Sequence, residues 1–318
     1  MGDRSDPLAK LSKKLGTCHS RGDFYEAQQL CLSLHSRWKK KDRRKAHDIL
    51  ASGARALLER EEIIAGSELA VALCKEYLSD GVEAGEAREC VARLDAIFAA
   101  YPRVSTRDDE VFADLAALHA EKVVNHAMRW YKRCDSVSAE EVKDLHLWFA
   151  VYLNDCLGIA SAFKVVQHFL KSGDMQELAK YLRSIVTCCG EGEEDLFIAK
   201  VALMVIGAGI GAPTGTNHAQ CAKDAQSFLD AYEFIPETPL VHFIQLFIKA
   251  LSQPLLLQRA PLASLLQEKY SVALNRDPSL AREVARIVNL LQGRGPGRGG
   301  AGAGGGGMMA DMLQNLFT

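Results

Sequence analysis

The sequence is poor in aromatic residues and has no long apolar run. Phe, Tyr and Trp make up 7% of the 318 residues, and no segment sustains the alternation of apolar and polar residues that is typical of strands. The longest charge-free apolar stretch, 201–213, has 13 residues and is too short to span a bilayer. Residues 1–10 lack the apolar core of a secretory signal. We therefore expect a cytosolic protein with no direct membrane insertion.

Charge and cysteine usage exclude further classes. The 38 basic and 40 acidic side chains leave a net charge of −2, which argues against a nucleic-acid binder. Nine cysteines occur without C-x-x-C spacing and are expected to be reduced thiols. Cys18, Cys31, His35 and His47 could be aligned with a zinc pattern, but Cys31 lies on an apolar helix face, which favours core packing. No P-loop, H-E-x-x-H or G-x-S-x-G motif occurs. We expect no catalytic residue, no metal and no cofactor.

Helix boundaries are marked by local chemistry along the whole chain. Glycine can end one helix, and the Asp that follows can cap the next, at 22–23 and 173–174. Ser138 and Glu141 form a capping-box pattern, and Asp277-Pro278 combines a cap with a proline at the first helical position. Combined with apolar residues at helical spacing, these signals predict about fourteen helices. The predicted ranges are 4–20, 23–40, 42–59, 61–79, 83–100, 107–130, 138–154, 157–171, 174–188, 193–208, 217–233, 238–252, 261–274 and 278–292.

Short connections between these segments predict an all-α fold. Helices joined by two to eight residues pack as antiparallel hairpins. We expect a right-handed α-solenoid of about seven TPR-like hairpins, followed by a flexible glycine-rich tail. Residues 207–212 match the dinucleotide fingerprint G-x-G-x-x-A, but a helical pattern precedes them where the fingerprint needs a strand. We interpret them as a helix end and loop.

Two segments carry unusual composition. Residues 37–45 hold seven basic side chains in nine positions, and residues 1–60 carry 14 basic against 7 acidic groups. This run is either a solvated helix turn or a surface that steers an acidic partner. At the other end, 293–307 contains ten of the 25 glycines and is expected to be a linker. Residues 308–318 beyond it place apolar side chains at helical spacing, which predicts a tethered amphipathic segment that orders only against a groove.

Several stretches, taken in order, resemble one known family. They are Gly22-Asp23-Phe24-Tyr25-Glu26-Ala27-Gln28-Gln29 with Arg37-Trp38, Ser52-Gly53-Ala54, Ala65-Gly66-Ser67-Glu68-Leu69, His168-Phe169-Leu170-Lys171-Ser172-Gly173-Asp174, and the block 262–291. The sequence resembles the solenoid adaptor of the guided-entry pathway for tail-anchored membrane proteins, the 35-kDa subunit of the transmembrane-domain recognition complex. The resemblance runs from about residue 8 to residue 292.

The resemblance implies a non-enzymatic scaffold with two partner-binding halves. Residues 1–150 would face the cytosolic targeting ATPase, and residues 151–292 would bind a ubiquitin-like-domain protein that recruits a client-loaded co-chaperone. In animal relatives a large ubiquitin-like co-chaperone joins the complex. The mechanism would be proximity, which raises effective concentration without new chemistry.

The resemblance also implies residues for the ATPase-facing surface. In that family the surface uses the first aromatic residue after Gly-Asp, a basic residue after the second helix, and an acidic residue on the fourth helix. The resemblance places these three positions at Phe24, about Lys40, and Glu68. The family more often has Tyr, Arg and Asp there. Periodicity puts Phe24 on the apolar stripe and points Tyr25 outward with Gln28, so Tyr25 is kept as a second candidate.

For the C-terminal half, the segment 240–251 is apolar nearly all round and needs cover on more than one side. We expect Phe243, Phe247, Leu251 and Tyr270 to contact the ubiquitin-like partner, unless the helices 261–274 and 278–292 bury the segment completely. Residues 254–261 are interpreted as an irregular connection because of their prolines, and they resemble the place where the family inserts a hairpin.

Two other function classes remain open. A helical-repeat subunit of another complex, such as a proteasome lid or a vesicle coat, would share the helix pairs but not the ordered motifs. An enzyme that uses the Gly207 region would require a strand before it.

Overall fold

The chain is helical wherever its structure is described. The computed structural model describes residues 7–79, 85–103, 109–187, 192–210 and 218–293, and no strand occurs in these ranges. The all-α prediction is therefore confirmed for the described residues. The amphipathic segment 308–318 and all but the first residue of the predicted linker lie outside them.

The chain divides into two compact units, Met1–Ser161 and Ala162–Thr318. The described helices of the N-terminal unit are α1 Pro7–Arg21, α2 Phe24–Trp38, α3 Arg43–Leu58, α4 Ile63–Ser79, α5 Ala87–Ala99, α6 Glu110–Tyr131 and α7 Ala139–Leu157, with a 3-10 turn at Gly158–Ser161. Those of the C-terminal unit are α8 Ala162–Ser172, α9 Met175–Val186, α10 Glu194–Ile210, α11 His218–Ala231, α12 Pro239–Leu251, α13 Leu256–Lys269, α14 Ser271–Leu274 and α15 Pro278–Leu291. The expected division at 150/151 would fall inside α7.

The predicted helix boundaries hold where local chemistry sets them. Gly22 and Gly173 adopt φ values of +75° and +74°, the left-handed region that L side chains avoid. The Asp174 carboxylate accepts hydrogen bonds from two backbone N–H groups of α9. Ser138 and Glu141 form the reciprocal capping box of α7. Asp23, in contrast, makes no side-chain capping bond to α2, so that part of the prediction is wrong.

The irregular connection expected at 254–261 is also wrong, because α13 begins at Leu256 and runs through Pro261. A proline at this position removes one bond, the one that its N–H would donate to the Leu257 carbonyl. Leu257 is in the first turn of the helix and 91% exposed. Water can therefore satisfy that carbonyl, and the helix continues.

The N-terminal unit packs its helices in sequence. α2 packs on α3, α3 on α4, α4 on α6, and α6 on α7. Two glycines allow the closest approaches: a Cβ on Gly53 would collide with Cys31 Sγ, and one on Gly66 would lie 2.7 Å from Leu58 Cγ. Because two hairpin turns separate α2 from α4, these two helices run parallel and contact each other.

The C-terminal unit is built around α10. This helix contacts α9, α11, α12 and α15 and is buried along most of its length. Gly207 lies against Glu283 and Arg286 of α15, and Gly209 lies against Cys221 of α11. The glycines of the fingerprint-like segment therefore permit close helix packing. The helical interpretation of this segment is confirmed through Ile210, and residues 211–217 lie outside the described residues.

One segment, Ala139–Ser172, is long and apolar enough to cross a membrane when only length and composition are considered. Its most apolar stretch has a mean hydropathy of 1.4, and 44% of that stretch is buried. Core helices pass the same test, and this run is broken by a 3-10 turn at Gly158–Ser161. Leu145, Phe149 and Leu153 of α7 are buried. The run is therefore weak evidence for a span.

Candidate partner-binding surfaces

Acidic side chains of α4 pair with α2 along the edge where these parallel helices meet. Near the start of both helices, Gln28 Nε2 donates a 2.6 Å hydrogen bond to Glu68 Oε2. Near their ends, Lys39 Nζ lies 2.5 Å and His35 Nε2 3.8 Å from Glu76 Oε2. These five residues define the α2–α4 edge. Its two carboxylates are held in place by neighbouring side chains.

Glu68 also lies in the electrostatic environment of α6. Burial and the nearby Lys122 hold the pKa of His119 below its ordinary value, while Glu68 opposes that shift. Glu68 itself is exposed, whereas Gln28 is 8% exposed. The expectation that Gln28 points outward with Tyr25 is therefore wrong, because its side chain turns towards α4. An exposed carboxylate is thus anchored by a buried amide.

Phe24 and Tyr25 open α2 at the same end as this hydrogen bond. Phe24 is half-buried, and Tyr25 is 74% exposed, as the periodicity predicted. Both residues precede Gln28 by about one helical turn, so they lie within one turn of the Glu68 anchor. Lys40 is also exposed, but it follows Phe24 by 16 residues, or about 24 Å along the helix axis. Phe24 and Tyr25 therefore share the end of α2 at which Gln28 bonds Glu68, whereas Lys40 lies beyond the opposite end.

The basic run 37–45 is partly neutralised inside the unit. Arg43 Nη2 and Arg44 Nε lie 2.8 Å and 2.9 Å from the two carboxylate oxygens of Glu86. The hydrogen bonds from Arg44 and then Arg43 hold the pKa of Glu86 below its ordinary value against the opposing effect of burial. Lys39 pairs with α4 as described above. About half of the run therefore joins helices.

The rest of the run is divided between local packing and solvent. Lys45 Nζ lies 5.4 Å from the ring centroid of Trp38 and 3.4 Å from Asp42 Oδ2. Arg37, Lys40 and Lys41 make no ion pair within the described parts of the chain. A steering role for the run would therefore fall on these three side chains.

The core interpretation of the first cysteines is confirmed. Cys18 and Cys31 are buried, and burial raises the pKa of Cys31 to about 12, so this thiol is protonated at neutral pH. His47 is buried beside the Tyr77 ring, and burial lowers the pKa of His47 to about 4. His35 differs, because it faces Glu76.

Three of the four residues predicted to meet the C-terminal partner are in the core. Phe243, Phe247 and Leu251 are completely buried, so the expectation that a partner touches them is corrected. The helices α10, α11 and α13 pack against α12. The protein therefore buries this helix with its own neighbours. The apolar pattern of 240–251 shows that this helix needs cover on more than one side, but it does not show how many neighbouring helices supply that cover.

Tyr270 is the predicted C-terminal residue that stays accessible. It is half-buried, its hydroxyl is 2.7 Å from His242 Nδ1, and its ring centroid is 5.7 Å from that of Phe243. His242 is exposed. These two side chains form a polar rim over the buried aromatic residues of α12. We call this pair the α12–α13 rim.

Sequence reasoning missed the exposed apolar side chains of α13. Leu257, Leu262 and Leu265 are exposed on the helix that was interpreted partly as an irregular connection. Leu262 and Leu265 are three positions apart and Leu257 and Leu265 eight, which is helical spacing and was a usable signal, but Pro254 and Pro261 obscured it.

Similarity to known proteins identifies the family. Residues 40–317 match the sequence profile of Golgi to ER traffic protein 4. This chain belongs to the Golgi to ER traffic protein 4 family. Membership in that family gives it a role in the guided-entry pathway that targets tail-anchored membrane proteins. The resemblance inferred from the ordered motifs is confirmed, and a proteasome-lid or vesicle-coat assignment is set aside.

Two known proteins are similar to the chain over most of its length. Protein GET4 of Arabidopsis thaliana is 25% identical over 303 residues, which cover 90% of this chain and 91% of that protein. The crystal structure of C. therm. Get4 matches with a TM-score of 0.67 and 16% identity, over 98% of this chain and 96% of that one. The structural match confirms the α-solenoid fold class.

Proposed function

We propose that the chain is a non-enzymatic cytosolic adaptor that bridges a targeting ATPase and a ubiquitin-like-domain protein. The N-terminal unit would hold the ATPase, and the C-terminal unit would hold the ubiquitin-like protein with its client-loaded co-chaperone. Such an adaptor increases the rate of client transfer through effective concentration alone.

The observation that carries the N-terminal assignment is the Gln28–Glu68 hydrogen bond beside exposed Tyr25. Interface energy is concentrated in aromatic and charged residues that are surrounded by packed neighbours. Because Gln28 already restrains the Glu68 carboxylate, little side-chain entropy is lost when a partner's basic group binds it. The start of the α2–α4 edge therefore has the composition and the rigidity of a binding site.

Lys40 fits the same interface only if the ATPase follows α2 along its length. A standard interface buries about 800 Å² on each partner, which corresponds to a patch roughly 30 Å across. The separation of about 24 Å between Phe24 and Lys40 fits within such a patch. We infer one continuous surface, with aromatic and acidic contacts at one end and basic contacts at the other.

The C-terminal assignment relies on the α12–α13 rim. An extended partner segment could exchange hydrogen bonds with His242 and pack on the exposed part of the Tyr270 ring. Phe243, Phe247 and Leu251 would then act indirectly, by supporting the rim from the core. This arrangement keeps the predicted residues in the site but changes their role from contact to support.

Calorimetric titration of the purified full chain with each proposed partner tests both halves. Glu68→Gln retains an acceptor for Gln28 but removes the charge, so we expect ATPase binding to weaken by about 1–3 kcal/mol. Binding of the ubiquitin-like protein should not change. Tyr270→Ala and His242→Ala should show the reverse pattern.

Glu59→Gln is the matched control, because Glu59 is an exposed glutamate of the same unit whose ion-pair partner among the described residues is its neighbour Arg55. Circular dichroism should confirm that each variant retains its helix content. Equal ATPase affinity for Glu68→Gln, Glu59→Gln and the unmodified chain would exclude the proposed N-terminal site.

A further inference from the structure

One side of α7 combines acidic, aromatic and aliphatic side chains. Asp144, Trp148, Val151 and Asp155 fall at i, i+4, i+7 and i+11, which places them in one line on the helix. Asp144 and Asp155 are exposed, Val151 is 40% exposed, and Trp148 is half-buried. A partner that approaches this side of α7 therefore meets an indole ring with a carboxylate before it and another beyond it.

Trp148 rests on an aromatic cluster between α5 and α7. Its ring centroid lies 4.6 Å from that of Phe98 and 5.1 Å from that of Tyr152. Tyr101 completes the cluster, with its centroid 5.5 Å from that of Tyr152. These three supporting rings are buried. The indole is thus held in place, while its Nε1–H makes no hydrogen bond to any described residue and stays available to a ligand.

The ring pairs show how α5 and α7 are aligned. Phe98 pairs with Trp148, and Tyr101, three positions later, pairs with Tyr152, four positions after Trp148. Residue numbers therefore increase in the same direction along both helices. One turn before these ring pairs, the same alignment sets Asp95 of α5 beside Asp144 of α7. Two carboxylates thus lie one turn from the indole.

These two carboxylates are close enough to repel each other. Neither Asp95 nor Asp144 forms a hydrogen bond or an ion pair with any described residue, and both are exposed. Partial desolvation, and then the charges of Asp144 and Glu141, raise the pKa of Asp95. Glu141 is already bonded to Ser138 in the capping box of α7. Asp95 and Asp144 are therefore the acids that a bound cation would stabilise.

A hydroxyl group on a buried residue lies at the same place. Tyr131 ends α6, which packs on α7, and Glu141 and Asp144 lie in the first two turns of α7. Tyr131 is 4% exposed, and its hydroxyl has no hydrogen-bond partner among the described residues. Burial raises the pKa of Tyr131, and the charges of Asp95, Glu141 and Asp144 raise it further. An unused hydroxyl beside two unpaired carboxylates marks a place where a polar ligand group is missing.

The chemistry of the site fits an arginine or lysine side chain of another protein. Within the described parts of the chain, no group of three His, Cys, Asp or Glu side chains could hold a metal ion. Two carboxylates beside an indole provide an ion pair and a cation–π contact for a single organic cation. Arginine suits both contacts, because its planar guanidinium binds carboxylates bidentately and stacks on aromatic rings. Val151 offers apolar surface to the aliphatic part of such a side chain.

The length of the line favours a peptide segment over a small cation. Asp155 lies about 16 Å beyond Asp144 along α7, a distance that about five residues of an extended chain span. A second basic residue of the same segment could therefore pair with Asp155. This is the weaker position, because the charge of Arg103 opposes the rise in the pKa of Asp155 that burial causes.

We propose that Asp95, Asp144, Trp148 and Val151 form a docking surface for a basic segment of another protein. An arginine side chain of that segment would lie between the two carboxylates and the indole. We call these four residues the α5–α7 surface. Helices α5 and α7 contribute no residue to the α2–α4 edge, so this proposal does not rest on the ATPase assignment.

Titration of the full chain with a fluorescently labelled peptide of alternating arginine and glycine tests the proposal. Anisotropy measures binding at low salt. The double variant Asp95→Asn/Asp144→Asn should weaken binding by about tenfold, because it removes both charges and keeps the size of the side chains. Both residues are exposed, so the core is not disturbed.

The double variant Glu59→Gln/Glu140→Gln is the matched control. It removes the same amount of charge from two exposed acids of the same unit that lie off the α5–α7 surface. Its affinity for the peptide should change by less than about twofold, because interactions between separated surface charges are screened. Thermal unfolding should show that Asp95→Asn/Asp144→Asn is at least as stable as the unmodified chain, since it relieves repulsion between like charges.

NMR of the indole N–H groups locates the bound peptide. The chain has three tryptophans, Trp38, Trp130 and Trp148. Trp148→Phe identifies the signal of Trp148 and keeps a ring on the aromatic cluster. The peptide should shift this signal and leave the other two in place, and Asp95→Asn/Asp144→Asn should remove most of the shift.

Four results would overturn the proposal. Absence of binding at low salt would show that the surface does not recognise basic segments. Equal weakening in the two double variants would show general attraction between opposite charges. Binding that leaves the Trp148 signal unchanged would place the peptide elsewhere. Tighter binding of spermine than of the peptide at this signal would assign the surface to a free polyamine. Selective weakening in Asp95→Asn/Asp144→Asn, together with the shift of Trp148, would support the proposal.

Discussion

Lys200 provides the sharpest test of what holds the C-terminal unit together. It is 4% exposed in the middle of α10, and its Nζ lies 2.5 Å from Asp277 Oδ2. Asp277 also accepts a 2.7 Å hydrogen bond from the Ser279 N–H as the N-cap of α15. The substitution Lys200→Met keeps the length of the side chain but removes the positive charge. The Asp277 carboxylate then retains only the hydrogen bond that caps α15.

The size of the effect follows from burial. Removal of one member of a buried ion pair costs about 3–5 kcal/mol, because the other charge stays desolvated. Asp277 is 18% exposed and retains its cap, so we expect Lys200→Met to cost about 2–4 kcal/mol of unfolding free energy. The double variant Lys200→Met/Asp277→Asn removes both charges and should recover most of this loss, with a coupling energy of about 1–3 kcal/mol.

The same pair makes a prediction about pH. Burial alone would raise the pKa of Asp277, but hydrogen bonds from Lys200 and Ser279 outweigh it and hold the pKa below its ordinary value. An acid with a lowered pKa stabilises the fold at pH values above its ordinary pKa, about 3.9. This stabilisation is lost as the pH falls below that value through the pKa of the folded state. Lys200→Met should weaken this acid dependence.

Native-state hydrogen exchange of α10 and α15 in the full chain measures these effects. Local exchange is needed because two compact units need not unfold in one transition. Lys249→Met, on the exposed side of α12, is the control and should be close to neutral. Equal destabilisation in Lys200→Met and in the double variant would refute the argument, because it would mean that the two side chains are not coupled.

Two further predictions concern the N-terminal unit. Gly66→Ala should lower the free energy of unfolding of this unit by about 1–3 kcal/mol, because the new Cβ would lie 2.7 Å from Leu58 Cγ. Gly16→Ala is the control, because its Cβ would have no atom within 4 Å, and it should leave the stability unchanged. Urea unfolding of the two variants measures the difference. Charge-neutral Gln substitutions at Lys40 and Lys41 should slow association with the proposed ATPase, and the effect should shrink as salt rises. Stopped-flow association that does not respond to salt would exclude steering by these two lysines.

The sequence by itself was enough to locate most of the helices, because their ends depend on neighbouring residues. Gly22 and Gly173 adopt left-handed φ angles, and Ser138 and Glu141 are three positions apart, so both signals are local. Pro261 misled the same reasoning, since its cost depends on whether one carbonyl can reach water. Exposed Leu257 shows that it can, and exposure is a property of the packed unit.

The candidate sites depended more heavily on the tertiary structure. Periodicity separated exposed Tyr25 from half-buried Phe24, because one helix repeat decides that difference. Gln28 and Glu68 are 40 residues apart, and only the parallel packing of α2 on α4 places them within hydrogen-bond distance. Burial of α12 was likewise decided by the number of helices around it. Periodicity shows which residues share a helix face, whereas contacts between helices decide which faces meet solvent.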